Sequence, residues 1–447
     1  MSKSSMFSIL LVLAGLLAYN APCQTLSKKI VSAESEVSLG LADPGINWES
    51  LVASSDGEHV AYISQRWPKW LVMVDGVEGE KYDQIGEGSL TFSPDGQHFA
   101  HSARRGDKWL VVADGIEGKE YAGIWDIIFS PDSRHLAYTA GPSPILVFLG
   151  LEFGYKSCVI VDREEFNWAS NPVFSVDGKR LAHAARRNDK EFIVVDGKEG
   201  KEYDEIHDII FSPKGRQVAY AAECAGKSRV VLGGREGIKY DDIHDLIFSA
   251  DGEHLAYAAG YYEGKYSTRT QRIYKVVTDP QGGVFARIAQ FLNIGKRYDA
   301  IAKGSLTFSS DGKRLAYAVR LGNRWRIVVD RQEGKEYDDI GSLIFSPDGQ
   351  HLAYGARSGE KWLVVVDGQE GKEYGRIGIP IFSPDGKRLA YTAQRGAKWL
   401  IVVDGAEGEE CDGFVRGSKL VFDSPNTLHA LTFRDNEFFR VEITIQE

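Results

Sequence analysis

The run Phe382-Ser383-Pro384-Asp385-Gly386-Lys387-Arg388-Leu389-Ala390-Tyr391 decides the fold, because the chain repeats it. With its first residue as the anchor, copies begin at Phe92, Phe129, Phe174, Phe211, Phe248, Phe308, Phe345, Phe382 and Phe422, and a degenerate copy begins at Ala53. Five of the nine intervals between these ten anchors are 37 residues long. An alanine lies eight residues after every anchor, from Ala61 to Ala430, and the next residue is tyrosine in seven copies. Self-similarity at this period marks a tandem array in which each unit buries its faces against its neighbours.

The unit over 343–377 reads as four strands. An apolar run at 343–346 meets the turn Pro347-Asp348-Gly349, where proline presets φ and glycine accepts the left-handed conformation. A second strand is predicted over 351–356 and a third, rich in β-branched residues, over 361–366. Asp367-Gly368 is a hairpin signal, and a shorter, more polar strand is predicted over 372–377. No helical period interrupts the unit. Four antiparallel strands in about 37 residues make one propeller blade. The expected fold is therefore all-β: a β-propeller of ten four-stranded antiparallel blades over 50–447. A single ring is favoured over two smaller propellers because no linker breaks the array. The last unit carries only three strands, so the N-terminal segment 24–49 is expected to close it, with 27–35 supplying the missing strand.

Composition agrees with a packed globular chain: 447 residues, 43% hydrophobic and 26% charged. The formal charge is −10 and no basic run offsets it, which argues against nucleic acid as a partner. Residues 1–23 read as a signal peptide. Lys3 precedes a mostly apolar stretch at 7–18, which is shorter than the roughly 20 residues that a membrane span needs. Ala21-Pro22-Cys23 then offers a cleavage site before Gln24. No later stretch is apolar enough for a transmembrane span in the mature chain. The expected location is periplasmic or secreted, and the lack of an Asn-x-Ser/Thr sequon favours a bacterial envelope. The widely spaced Cys23, Cys158, Cys224 and Cys411 form no disulfide framework.

The anchor run resembles the Pro-Asp type of WD-like repeat, found in TolB-like propellers and in the propellers of prolyl-oligopeptidase-type enzymes. The likeness covers about 50–447. It implies the propeller fold, but it carries no activity across. A TolB-like architecture implies a small α/β domain before the propeller, for which 24–49 is too short. The peptidases imply a hydrolase domain, and the chain has no Gly-x-Ser-x-Gly elbow.

Most repeated residues have a packing explanation. Trp70, Trp109, Trp325, Trp362 and Trp399 share one third-strand position with Phe192 and are expected in the core. Asp-Gly-x-Glu-Gly, as at 114–118 and 367–371, is hairpin chemistry, because a calcium loop needs ligands at alternate positions and a bidentate glutamate at the twelfth. No cofactor is expected, and nothing in the sequence supports a channel cation such as calcium. His59, His98, His135, His254 and His351 alternate with Arg180, Arg314 and Arg388 at one position, which predicts a solvated face. His101 and His183 replace the repeat tyrosine and are expected to hydrogen-bond between blades.

Function is sought where the repeats disagree. Just before the anchor, three units carry Trp125-Asp126, His207-Asp208 and His244-Asp245, where most others have serine, glycine or lysine. These six residues are expected to form an arc at the mouth of the central channel. The arc would bind a cationic group or metal ion more weakly as the histidines protonate. Two insertions break the period. One adds eight residues after Phe129. The other adds 23 after Phe248 and includes 285–294, where Phe285, Ile288 and Leu292 share one helical face and are expected to meet a partner. The functional expectation is an exported, non-enzymatic scaffold for a protein or small ligand. The alternative is a propeller hydrolase or lyase with its site at the channel mouth. No catalytic residue is assigned.

Overall fold

The computed structural model describes residues 35–41, 45–141, 158–167, 169–262, 272–280, 296–414, 420–434 and 437–445. Among them every regular element is a β-strand, and the strands form ten antiparallel sheets. The sheets are the blades of one ring, each holding one anchor and numbered here from blade 1 (anchor Ala53) to blade 10 (anchor Phe422).

Blade 8 shows the plan: Asp339–Phe345, Leu352–Ser358, Lys361–Val366 and Gln369–Tyr374 pair in sequence order. The fourth strand starts earlier than the expected 372–377. Asp367 and Gly368 are both left-handed (φ 50° and 82°), so pairing resumes at once with Val366 opposite Gln369. Arg376–Ile377 already belongs to the first strand of blade 9. First strands of consecutive blades touch one another, as Ala169–Phe174 does Glu205–Phe211, and Glu205–Phe211 does Asp242–Phe248. They are the innermost strands and line the axis, while the fourth strands form the exposed outer rim.

The core lies in the seams between blades. In the seam between blades 8 and 9, Ala353, Val364 and Tyr374 pack against Leu389, Tyr391 and Leu400. The invariant alanine is completely buried at Ala353 and Ala390, where a larger side chain would hold the blades apart. The third-strand tryptophans lie half-buried at the margins of these clusters, as Trp70 and Trp325 do.

Ring closure needs the N-terminal region. Strand Ser35–Leu41 pairs antiparallel with Glu437–Thr444, and Ile46–Ala53 then opens blade 1. The segment expected to close the ring, 27–35, lies outside the described residues apart from Ser35. Leu51, Val60 and Tyr62 of blade 1 pack against Leu431 and Phe438 of blade 10, so the ten blades form one ring and not two smaller propellers.

The repeat positions act as joints. His59, His98, His135 and His351 keep their side chains 38–48% exposed, the solvated face expected of them, and they are paired as well. Their Nδ1 atoms pair with Asp75, Asp114, Asp162 and Asp367 of the Asp-Gly or Asp-Arg hairpins at 2.5–2.8 Å. Arg180, Arg314 and Arg388 do the same with Asp196, Asp330 and Asp404. The glutamate of Asp-Gly-x-Glu-Gly joins blade to blade: Glu117 accepts the Tyr82 hydroxyl at 2.7 Å, and Glu407 accepts that of Tyr374 at 2.9 Å.

No helix among the described residues is long and apolar enough to cross a membrane. The expected signal peptide (1–23) and the insertion residues Phe285, Ile288 and Leu292 lie outside the described residues.

Candidate functional site on the channel-facing strands of blades 5 to 7

In blades 3 to 6 the first strand gains one residue as it crosses the second. In blade 5, His207 faces Ala221 but Ile210 faces Ala219, and in blade 6, His244 faces Ala258 but Ile247 faces Ala256. The extra residue is a β-bulge. It is left-handed in each case: Asp126 (φ 52°), Asn171 (53°), Asp208 (52°) and Asp245 (58°). Aspartate and asparagine tolerate that conformation better than other side chains, which gives these residues a backbone reason to be there. Blades 1, 2 and 7 bend the strand differently. The hydroxyls of Ser50, Ser89 and Ser305 accept the backbone N–H groups of Ile63, Ser102 and Ala318. In blades 1 to 7 the contrast between serine and aspartate is therefore first a choice between two bends, whereas blade 8, with Ser342, gains a residue too but without a left-handed backbone.

Four of the six expected site residues then gather on neighbouring blades. His207 Nδ1 lies 3.2 Å from Asp208 Oδ2, and His244 Nδ1 lies 3.4 Å from Asp245 Oδ1. Asp245 Oδ2 also accepts the N–H of Gly304 from blade 7 at 2.7 Å. The charges interact across the seams. The hydrogen bond from His207, opposed by burial and aided by the charges of His207, His244 and Lys303, holds the Asp208 carboxyl below the usual range. The same hydrogen bond raises the His207 imidazole against burial, with the charges of Asp208, Glu205 and Asp242 adding to it. Nearby, Glu191 is raised by burial, although its Oε2 accepts the N–H of Ile206 at 2.8 Å.

Trp125 and Asp126 do not join this group. The Trp125 indole lies over Gly123 of its own strand, and Asp126 forms no hydrogen bond or ion pair with the other two pairs. The expected arc of three carboxylates is thus reduced to two His-Asp pairs, because blade 4 with Asn171 stands between. Among the described residues no three histidine, cysteine, aspartate or glutamate side chains converge to hold a metal ion. Sequence reasoning missed Lys303 and Asp242. Lys303 sits in the Ala302-Lys303-Gly304-Ser305 bend of blade 7, next to the Gly304 N–H that Asp245 accepts.

No family model matches the chain, and no curated protein matches it. Solved propellers resemble it at low identity. The chain is similar to hydrazine synthase from Kuenenia stuttgartiensis (14% identity, 74% of this chain and 97% of that one, TM-score 0.31). It is similar to the β-propeller domain of the Trilobed protease from Pyrococcus furiosus (12%, 66% and 96%, TM-score 0.33). TolB from Acinetobacter baumannii is a third (14%, 67% of each chain, TM-score 0.27).

Proposed function

We propose that the protein is an exported β-propeller that acts as a binding scaffold, with its site on the channel-facing strands of blades 5 to 7. The observation that carries this reading is the succession of His207–Asp208 at 3.2 Å, His244–Asp245 at 3.4 Å and the Asp245–Gly304 hydrogen bond at 2.7 Å, on the first strands of blades 5 and 6 and the bend of blade 7. Elsewhere the repeated polar residues are joined to one another as joints; here the first strands carry charged groups, with His207 and Asp208 left 32% and 40% exposed. Acids outnumber fixed bases in this group, with Glu205, Asp208, Asp242 and Asp245 against Lys303. A basic side chain of a protein partner suits it best, and protonation of His207 would weaken that binding. Export is supported by the apolar stretch at 7–18 after Lys3 and tested by sequencing the N-terminus of the protein recovered from its native cell.

The test of the site is calorimetry with short lysine- and arginine-rich peptides and with divalent cations, on the wild type and on the double variant Asp208→Asn, Asp245→Asn. Peptide binding at pH 7.5 that weakens at pH 5.5 and falls at least tenfold in the variant supports the proposal. Equal binding by the variant, or none by the wild type, overturns it.

A further inference from the structure

A second feature lies far from the channel, in the seam between blades 1 and 2. Seven blades carry tyrosine next to the invariant alanine, and in five of them its ring packs edge-on against the fourth-strand tyrosine of the preceding blade, as Tyr138 does on Tyr121 and Tyr391 on Tyr374. In three of these seams the hydroxyl of that tyrosine also reaches the second glycine of the preceding Asp-Gly-x-Glu-Gly or its equivalent. An added Cβ would meet it 3.6 Å away at Gly118, and 3.9 Å away at Gly200 and Gly371. In blade 2 the tyrosine is replaced by His101. Its ring keeps the edge-on stance against Tyr82 at 6.4 Å, but it is shorter. At Gly79, the equivalent glycine, only the Val72 backbone comes near, as only the Val230 and Ile327 backbone does at Gly237 and Gly334, so the room beside His101 is read from the cleft itself.

A cleft of about 170 Å³ opens there, lined by Val72, Val74, Val77, Phe99, Val112 and His101 together with Glu78 and Glu80. His101 is 7% exposed, and neither of its ring nitrogens has a hydrogen-bond partner in the protein. Elsewhere the same replacement leaves no such arrangement: His183 of blade 4 packs on Phe166 and has the Ala184 carbonyl 3.3 Å from Nδ1. A buried polar group without a partner is costly, and such groups in native proteins are commonly satisfied by something bound. A mainly apolar space of about 150 Å³ is large enough for a benzene ring.

We propose that the cleft between blades 1 and 2 binds a small neutral phenol, with its ring against the valines and its hydroxyl hydrogen-bonded to His101. A neutral imidazole offers one donor and one acceptor, and a phenol hydroxyl can answer either. The ligand would restore the phenol that tyrosine supplies in the other seams.

The experiment titrates the purified protein with phenol, p-cresol and toluene by calorimetry. Two variants are used: His101→Tyr, which fills the cleft as the other blades do, and His101→Phe, which removes only the hydrogen-bonding groups. The expected result is saturable one-to-one binding of phenol and p-cresol with Kd of about 1 mM or tighter. Toluene should bind at least tenfold more weakly. His101→Tyr should lose binding with an unchanged or raised Tm, and His101→Phe should lose the preference for phenol over toluene. If His101→Tyr does not fold, the loss of preference in His101→Phe decides. Absence of saturable phenol binding overturns the proposal and leaves a cleft that holds only water. Equal affinity for toluene, or an unchanged preference in His101→Phe, also overturns it.

Discussion

His351 Nδ1 stands 2.6 Å from Asp367 Oδ2, while Oδ1 of the same carboxylate accepts the backbone N–H of Leu352 at 3.0 Å. One aspartate thus ties the second strand to the turn before the fourth, and it does so from a left-handed backbone that aspartate accepts readily. Blade 5 shows the counterpart. There the hairpin is Gly233-Gly234 and the histidine position is Gln217, so both partners are gone together. We expect Asp367→Ala to cost about 1–2 kcal/mol through the lost N–H acceptor and the left-handed backbone. Asp367→Asn, which keeps an oxygen acceptor and the same backbone tolerance, should cost less than half of that. Denaturation midpoints of the two variants check the order; equal losses would mean that the charge matters more than the acceptor.

Two glycines separate backbone strain from crowding. Gly368 has φ 82° with nothing within 4 Å of an added Cβ, whereas Gly178 has φ 70° and its Cβ would strike the Asp132 carboxylate of the neighbouring blade. Gly368→Ala should therefore cost about 1 kcal/mol, and the β-branched Gly368→Val somewhat more. Gly178→Ala should cost visibly more than Gly368→Ala, because strain and a clash across the seam add. Thermal melts of the two alanine variants test the ranking.

The fold was legible because the anchor run recurs with nearly constant spacing and its turn residues fix where strands begin. The error at the fourth strand of blade 8 came from reading Gln369-Glu370-Gly371 as loop, when Asp367-Gly368 alone completes the turn. The site was harder. Asp126, Asp208 and Asp245 stood out against serine in other units, yet that contrast also encodes two ways of bending the first strand, and single residues cannot tell bend from site. Blade order then decides proximity: Asp208 and Asp245 share a seam, and Asp126 does not. The exchange of tyrosine for His101 was visible in the repeats, but the space beside it follows only from how the side chains lining the cleft pack.

His101 should make stability depend on pH. Burial holds its imidazole down at about 4, below the ordinary value of 6.5. Between these values the unfolded chain binds the proton and the folded one does not. The contribution is thus complete above pH 6.5 and is lost as pH falls toward 4. Relative to His101→Phe, the wild type should lose about 2 kcal/mol between pH 7.5 and pH 5. Denaturation of both proteins at the two pH values measures the difference, and parallel behaviour would show that the imidazole titrates freely in the fold.

His207 should behave in the opposite sense. Its pairing with Asp208 raises the imidazole, so the stabilising contribution is complete below pH 6.5 and fades as pH rises through the folded value. Asp208→Asn should bring the His207 titration back down toward 6.5 or below, since burial then acts with less opposition. Ring-proton chemical shifts followed from pH 5 to pH 9 report this directly. An unmoved midpoint would mean that Glu205 and Asp242, not Asp208, control the histidine.

The ring itself is tested at its closure. Phe438 is 2% exposed and its ring centroid lies 6.0 Å from that of Tyr62, so this contact joins the last blade to the first. Arg440 adds an ion pair to Glu58 at 3.6 Å, but it is partly exposed and counts for little beside the apolar contact. Phe438→Ala should cost about 3–5 kcal/mol, the usual loss for a buried phenylalanine. Deleting 35–41 should be worse in kind as well as degree. It strips Glu437–Thr444 of one of its two antiparallel neighbours and leaves a bare sheet edge, which invites pairing between molecules. The deletion variant is therefore expected to melt earlier and to self-associate in sedimentation, whereas Phe438→Ala only melts earlier. A monomeric deletion variant with wild-type Tm would show that the seam between blades 10 and 1 closes the ring without the strand.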